Sequence, residues 1–254
     1  MDQLIDIHTH ILPSIDDGAR DMEEAIQMLC MAWDDGIGEV VLTPHYRGAY
    51  KKIPVDRIWE RFEQLTEAAR RAIPGMKLHL GRELHYEQDL YDKLCDGDVM
   101  PFANTQYVLL EFSTVSRRSQ IVQGVENVCY SGHIPIVAHV ERYNVCRDDK
   151  KLIDELLDMG ALIQMNADSI MGENGWSVRR FCHKLLRAQK VHFIASDAHR
   201  TDWRPPLLKK CWERVSRKYG QEYAEQVFRK NARNVLENRE MYCRYERESQ
   251  RSRN

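Results

Sequence analysis

Short apolar runs alternate with helix-patterned stretches through almost the whole chain, and few folds accept that order. The runs Leu4–Ile7, Glu39–Thr43, Lys77–Gly81, Tyr107–Phe112, Pro135–Ala138, Ala161–Met165 and Val191–Ser196 have the length and apolar content of buried strands. Between them, Asp21–Asp35 places Met22, Ala25, Ile26, Leu29 and Trp33 at helical spacing. Val55–Ala72 does so with Ile58, Phe62, Leu65 and Ala69, and Lys150–Met159 with Ile153, Leu156 and Leu157. Gly36, Pro74-Gly75 and Gly160 stand where a helix would stop before the next strand. Strands separated by helices pair in parallel through crossovers, so an α/β sheet or barrel is expected. A further helical pattern opens at Pro205-Pro206 and runs to about Lys218, and another spans Gln221–Phe228. The charged segment Arg239–Asn254, with Tyr242 and Tyr245, reads as a frayed tail.

The chain's 254 residues, 43% hydrophobic and 30% charged, suffice for one sizeable core. A net charge of −2 gives no reason to expect nucleic acid or an anionic membrane as partner. Met1–Ile7 lacks the basic start and unbroken apolar run of a signal peptide, and no stretch approaches the roughly 18 apolar residues of a membrane span, so no insertion is expected. Seven scattered cysteines without a C-x-x-C read as reduced thiols and point to the cytoplasm.

Chemistry collects at the strand ends. His8 and His10 follow the first run, His45 the second and Glu83 the third. Glu111 closes the fourth, His139 the fifth, and Asp197 and His199 the last. On a parallel barrel these ends share the face where barrel enzymes keep their active sites. His8 and His10, like Asp197 and His199, are two residues apart, which puts each pair on one side of an extended segment. If the sheet closes, the first strand lies beside the last and the two pairs meet. A lone H-x-H is a weak signal and a carboxylate there often caps a helix, but recurrence at six strand ends marks a metal site. Imidazole with carboxylate suits Mn²⁺, Zn²⁺ or Fe ions, and the lack of cysteine at these ends argues against structural zinc. So many ligands imply two or three ions, an arrangement that generates hydroxide at neutral pH and clamps a phosphoryl group.

Arg142 and Arg204 fall on loops of the same face, where a guanidinium can fork onto phosphate oxygens. Arg117 and Arg118 either extend a positive rim or are simply solvated. His85 is a lesser candidate beside Glu83, whereas His79, His133, His183 and His192 read as surface or core residues. Asp6 shares the side of His8 and His10, as an outer partner of one of them or as an unrelated buried carboxylate. The C-x5-R spacing in "CWERVSR" (Cys211 to Arg217) is a decoy: a thiol-phosphatase loop needs small residues with free backbone N–H groups, and this stretch is bulky and helical.

Taken in order, "IDIHTHILPSIDDG", "TPHYR", "GREL", "LLEFS", "AHVERY" and "SDAHRTDWRPP" resemble the PHP superfamily of metal-dependent phosphoesterases, and within it the bacterial protein-tyrosine phosphatases of capsule and exopolysaccharide operons. The resemblance covers about residues 1–237, taken as a single domain, with 238–254 as the tail. It implies a distorted (β/α)7 barrel of TIM type and three divalent ions, described as manganese. One ion would take His8, His10, Glu83 and Asp197. A second would share Glu83 and add Glu111 and His139. A third would take Asp17, His45 and His199. Arg142 and Arg204 would hold the phosphate, with Asp197 and His199 beside them in the catalytic group. Asp17 comes from the resemblance alone, while Asp16 and Gly18 are expected to shape its turn. Arg82 before Glu83 and Tyr46 after His45 depart from the family pattern, where they would alter the rim.

The implied reaction is attack of a metal-bridging hydroxide on phosphotyrosine of a protein, with a membrane-associated tyrosine autokinase controlling polysaccharide chain length as the implied substrate. A phenoxide leaving group, with a pKa near 10, needs less protonation than an alkoxide. A histidinol-phosphate or other small-molecule phosphatase on the same barrel stays open, as does a non-catalytic PHP module. Oligomeric state is also left open.

Overall fold

In the computed structural model, which describes residues 3–48, 50, 53–97 and 99–241, all strand pairing is parallel. The strands are β1 (Leu4–Thr9), β2 (Ile37–Leu42), β3 (His45–Tyr46), β4 (Lys77–Leu80), β5 (Glu83–His85), β6 (Tyr107–Glu111), β7 (Ile134–Val137), β8 (Leu162–Asn166) and β9 (Phe193–Ala195). They pair in the orders β1-β2-β4 and β3-β5-β6-β7-β8-β9. The second and third expected strands, found as β2 and β4, are each followed after a break by a further short strand, β3 and β5. The second is interrupted at Thr43-Pro44, where proline has no N–H to give to a ladder. The third breaks at Gly81-Arg82, where the backbone runs so close to Phe102 that a Cβ on Gly81 would lie 3.2 Å from its ring. Each broken strand carries the wall from one sheet into the other.

The curled wall closes between its first and last strands. Thr9 bridges Ala198 in parallel, His10 N–H donates to Ala198 O at 2.7 Å, and Asp197 N–H donates to His8 O at 2.9 Å. The result is a parallel α/β barrel, one of the two forms the alternation allowed, and it agrees with the distorted (β/α)7 barrel that the family resemblance implied. Asp6 helps to lash the seam. Its Oδ1 accepts from the N–H of Ser196 at 3.1 Å and of His8 at 3.4 Å, and complete burial raises its pKa to about 6. It is a structural carboxylate that fixes backbone, not the partner of an imidazole ring.

The helices α1 (Met22–Asp34), α2 (Val55–Ala72), α3 (Leu90–Asp96), α4 (Arg118–Tyr130), α5 (Asn144–Asp148) and α6 (Leu152–Asp158) are followed by α7 (Ala167–Met171), α8 (Trp176–Arg187), α9 (Lys209–Tyr219), α10 (Gln221–Glu225) and α11 (Asn231–Leu236). Asp21 caps α1 by accepting from Glu24 N–H at 2.9 Å. The start of α9 lies four residues beyond the expected Pro205. Arg204 turns there with φ +51°, and the remote Asp35 Oδ2 accepts from the N–H groups of Leu208 and Lys209 at 2.6 and 2.7 Å, doing the work of a cap. Past Phe228 the helical path continues through one π turn (residues 226–230) into α11. Tyr242, Tyr245 and most of the expected tail lie outside the described residues. The six described cysteines are free thiols, and no helix among the described residues is long and apolar enough to cross a membrane.

At the opposite end of the barrel from the strand carboxyl ends, half-buried His192 accepts from Ile163 N–H at 3.0 Å, and desolvation lowers its pKa to about 4. Between the ordinary imidazole value and about 4, the unfolded chain takes up a proton that the native chain refuses. Stability thus falls as pH drops through that window, by up to about 3 kcal/mol. The variant His192→Asn keeps an acceptor in Oδ1 but does not titrate. Chemical denaturation between pH 7 and pH 4.5 is expected to show a smaller loss for the variant than for the parent; parallel losses would contradict this.

Candidate metal centre

The closed seam and the broken strands aim nine side chains at one point. His8 lies within β1, not beyond it, and His10 just after it. His45 opens β3, Glu83 opens β5, Glu111 ends β6, His139 follows β7, and Asp197 and His199 follow β9. His8 Nε2 lies 3.2 Å from Glu83 Oε1 and 3.5 Å from Asp197 Oδ1. His10 Nε2 lies 3.3 Å from both Glu83 Oε2 and Asp197 Oδ1. His139 Nε2 is 2.9 Å from Glu83 Oε1 and 3.8 Å from Glu111 Oε1. His45 Nδ1 is 2.8 Å from Glu83 Oε2, while its Nε2 is 3.4 Å from Asp17 Oδ1; His199 Nε2 reaches the same oxygen at 3.8 Å.

Four ligand groups result, each with donor atoms within 4.8 Å of one another: His8, His10 and Asp197; His8, Glu83 and His139; His45, Glu83 and Glu111; and His10, Asp17, His45 and His199. Together they contain all nine residues expected as ligands. His85 belongs to none of them. Bonds of about 2.0–2.2 Å to one ion place two ligand atoms at most about 4.4 Å apart, so these sets suit divalent ions after small side-chain adjustments. The hydrogen bonding agrees. Asp17 Oδ1, His45 Nδ1, Glu83 Oε2 and His139 Nδ1 are buried without an aligned hydrogen bond, even though His45 Nδ1 and Glu83 Oε2 lie 2.8 Å apart, a state that costs free energy unless something else takes up their lone pairs.

The electrostatics ask for positive charge at the centre. Burial opposes ionisation of Glu83 and Asp197, yet the imidazoles of His8, His10 and their neighbours hold both carboxyls well below the ordinary range. Burial together with the Glu83 charge pushes Glu111 up to about 8. Desolvation takes His139 down to about 4, and desolvation with the charge of His10 takes His199 to about 3, so both are neutral and able to coordinate. His139, Asp197 and Arg204 all have positive φ (29°, 53° and 51°), conformations that cost non-glycine residues free energy and that cluster at functional sites.

Both expected phosphate-binding arginines meet one atom. Arg142 Nη1 and Arg204 Nη1 donate to Asp197 Oδ2 at 3.2 and 3.1 Å, while Asp197 Oδ1 faces the histidines. Trp203 lies under the Arg204 guanidinium at 4.6 Å and edge-on to His199.

Residues 4–237 match the family described as capsular polysaccharide synthesis, CpsB/CapC. The chain belongs to the CpsB/CapC family. It is 32% identical over 240 residues to the tyrosine-protein phosphatase CpsB of Streptococcus agalactiae, covering 92% of this chain and 99% of that one. It is 30% identical over 242 residues to the tyrosine-protein phosphatase YwqE of Bacillus subtilis, covering 94% of each. A crystal structure from work on YwqE and Streptococcus pneumoniae CpsB, described as metal-dependent tyrosine phosphatases, superposes with a TM-score of 0.87 at 28% identity, covering 94% of this chain and 96% of that one.

For this CpsB/CapC chain, the side chains behind the ligands were the part that sequence reasoning missed. Asp16 is more than a turn former: its Oδ2 takes His10 Nδ1 at 2.7 Å and His45 N–H at 2.9 Å, and despite burial the His10 charge holds its pKa at about 2. Gly18 is needed because a Cβ there would fall 1.8 Å from His10 O. β8, the one expected strand without a ligand, supplies Gln164 and Asn166 instead. Gln164 Oε1 accepts from His139 N–H at 2.7 Å and lies 3.2 Å from His8 Nδ1. Its Nε2 donates to Asn166 Oδ1, and Asn166 Nδ2 donates to Asp197 Oδ2 at 2.8 Å. A proton on His8 Nδ1 leaves Nε2 free to coordinate. The alternation of Gln164 and Asn166 along "QMN" was the available signal. Arg47, also unforeseen, joins Glu111 Oε1 at 3.2 Å to Asp17 Oδ2 at 3.5 Å.

Two rim expectations change, and one decoy reading stands. Arg118 is tied to Asp149 and Glu155, and so links α4 to the α5–α6 region. Arg82 is buried, donates to His45 O at 2.8 Å and lies over the Tyr46 ring, so it braces the strand break from behind. Cys211 is buried within α9 with its thiol pushed up by desolvation, as expected of a decoy. Removal of the β8 support in Gln164→Leu is expected to leave a folded protein whose affinity for divalent metal is about 10–100-fold weaker. Equilibrium dialysis with elemental analysis checks this, and unchanged affinity would contradict it.

Proposed function

We propose that this chain is a metal-dependent protein-tyrosine phosphatase of capsule or exopolysaccharide synthesis, with His8, His10, Asp17, His45, Glu83, Glu111, His139, Asp197 and His199 as metal ligands. The observation that carries the reading is the double duty of Asp197, one oxygen toward the ligand cluster and the other holding two guanidiniums. Family membership supports the same activity. The number of ions is taken as three and the metal as manganese, which suits an imidazole–carboxylate donor set. The substrate is taken as phosphotyrosine on a membrane-associated tyrosine autokinase, met in the cytoplasm.

Bound divalent ions would supply a nucleophile from water at neutral pH and neutralise phosphoryl oxygens. The remaining tasks fall to side chains. Arg142 and Arg204 each spend one Nη1 donor on Asp197, which leaves further N–H groups to fork onto the equatorial phosphate oxygens. Because Asp197, Asn166 and the Trp203 ring fix these guanidiniums beforehand, little reorganisation is required as charge grows in the transition state. Arg47 places a third guanidinium between Glu111 and Asp17 at the mouth. The phenolic leaving group departs with little help from a general acid.

The deciding experiment compares kcat/KM for a phosphotyrosine peptide and for histidinol phosphate with Mn²⁺ present. The peptide is expected to be preferred, and preference for histidinol phosphate would replace this reading. Failure to cleave either would favour a non-catalytic module. His139→Ala is expected to lose bound metal and at least about 100-fold in turnover. Arg142→Lys, which keeps the charge but not the fork, is expected to lose about 10- to 100-fold in kcat/KM with metal content intact. Equal metal and turnover in His139→Ala would overturn the ligand assignment.

A further inference from the structure

Away from the metal centre, two neighbouring helices carry an unbalanced charge. α8 presents Arg179, Arg180, Lys184 and Arg187, while its Phe181, Cys182, Leu185 and Leu186 are buried. α9 presents Lys209, Lys210, Arg214, Arg217 and Lys218, with Cys211 and Val215 buried. Glu213 is the sole acid within the two helices, so nine cations against one carboxylate give +8 in a chain whose total is −2. Among the described residues, none of these nine cations is in an ion pair, whereas nearby Arg204 and Arg229 are.

Arg179 and Arg187 of α8 and Arg214 and Lys218 of α9 gather around one point, the His183 ring. His183 Nδ1 and Tyr219 OH, 2.7 Å apart, join α8 to α9. Burial, then the charges of Lys218, Arg179, Arg214 and Arg187 from both helices, push the His183 imidazole down to about 4, so that it adds no charge of its own at neutral pH.

Helix energetics account for only part of this. Lys184, Arg187, Arg217 and Lys218 lie in or near last turns, where the helix dipole favours cations. Arg179, Arg180, Lys209 and Lys210 lie at the opposite ends, where it disfavours them, and neither first turn holds an acid. Like charges at i,i+4, such as Arg180 with Lys184 and Lys210 with Arg214, add repulsion. An external polyanion would relieve both effects.

We propose that the α8–α9 face is an electrostatic docking surface for an anionic phospholipid bilayer. Its composition favours lipid over a protein partner. Protein interfaces are poor in lysine and rich in apolar anchors, whereas this face has four lysines and, Trp176 apart, no strongly exposed large apolar side chain. Fluid headgroups need no directional match, and long Lys and Arg stems adapt to them. Trp176, 72% exposed at the start of α8 with the Arg180 guanidinium 5.3 Å from its ring, supplies the aromatic anchor typical of a membrane interface. Both helices follow strands in the chain, α8 after β8 and α7, and α9 after β9.

Flotation of the full chain with vesicles of phosphatidylcholine alone, or mixed with phosphatidylglycerol, tests the proposal. Binding is expected only to the anionic vesicles and is expected to be lost as salt rises from about 0.05 to 0.5 M. The variants R180Q/K184Q/R187Q and K209Q/K210Q/R217Q, each verified as folded by circular dichroism and melting temperature, are expected to partition more than about tenfold more weakly. Equal binding to neutral vesicles, undiminished binding by a folded variant, or retention on duplex DNA or polyglutamate without retention on anionic vesicles would overturn it. If neither variant folds, salt-insensitive flotation of the parent would do the same.

Discussion

The parallel contact between the first and last strands is the interaction on which the rest of the molecule depends. Three backbone contacts, Thr9 with Ala198, His10 with Ala198 and Asp197 with His8, place the H-x-H pair of one end of the chain beside the D-x-H pair of the other. Asp6 locks the same seam from within the wall by accepting from Ser196 N–H. Without that closure, Glu83 would face two imidazoles fewer, and Asp197 would lose His8 and His10 opposite its arginines.

Closure also explains why the site tolerates unfavourable features. It concentrates carboxylates and imidazoles in a volume where burial opposes every charge, leaves lone pairs of Glu83, His45 and His139 without hydrogen bonds, and holds His139 and Asp197 at positive φ. Such a cluster is high in free energy until cations are supplied. The frame behind it is correspondingly over-determined. Asp16 grips His10 and His45, Gln164 grips His139 and His8, and Asn166 grips Asp197. Fixed donors of this kind let phosphate be met without rearrangement.

Much of this was legible in the sequence, and what was not has physical reasons. Side-chain period two and the parallel crossover rule brought His8, His10, Asp197 and His199 together before any coordinates. Asp17 escaped that logic because it sits on a turn, folded by Asp16 and Gly18, and not on a strand; only the family resemblance named it. The strand breaks at Pro44 and Gly81 depend on what lies across the wall. The start of α9 was misplaced because its cap, Asp35, comes from the loop after α1. Gln164 and Asn166 went unremarked because an amide at a strand end is ordinary unless the neighbouring strands are known to carry ligands. The α8–α9 charge vanished in a net of −2 because a sum over the chain hides where the charges lie.

Anomalous diffraction from crystals grown with Mn²⁺ tests the central claim most directly. Strong peaks are expected inside the ring of nine candidate ligands, one of them bounded by His8, His10, Glu83 and Asp197 across the closed seam. Ions bound elsewhere with that quartet unoccupied, or Asp197 turned away from the histidines, would contradict it.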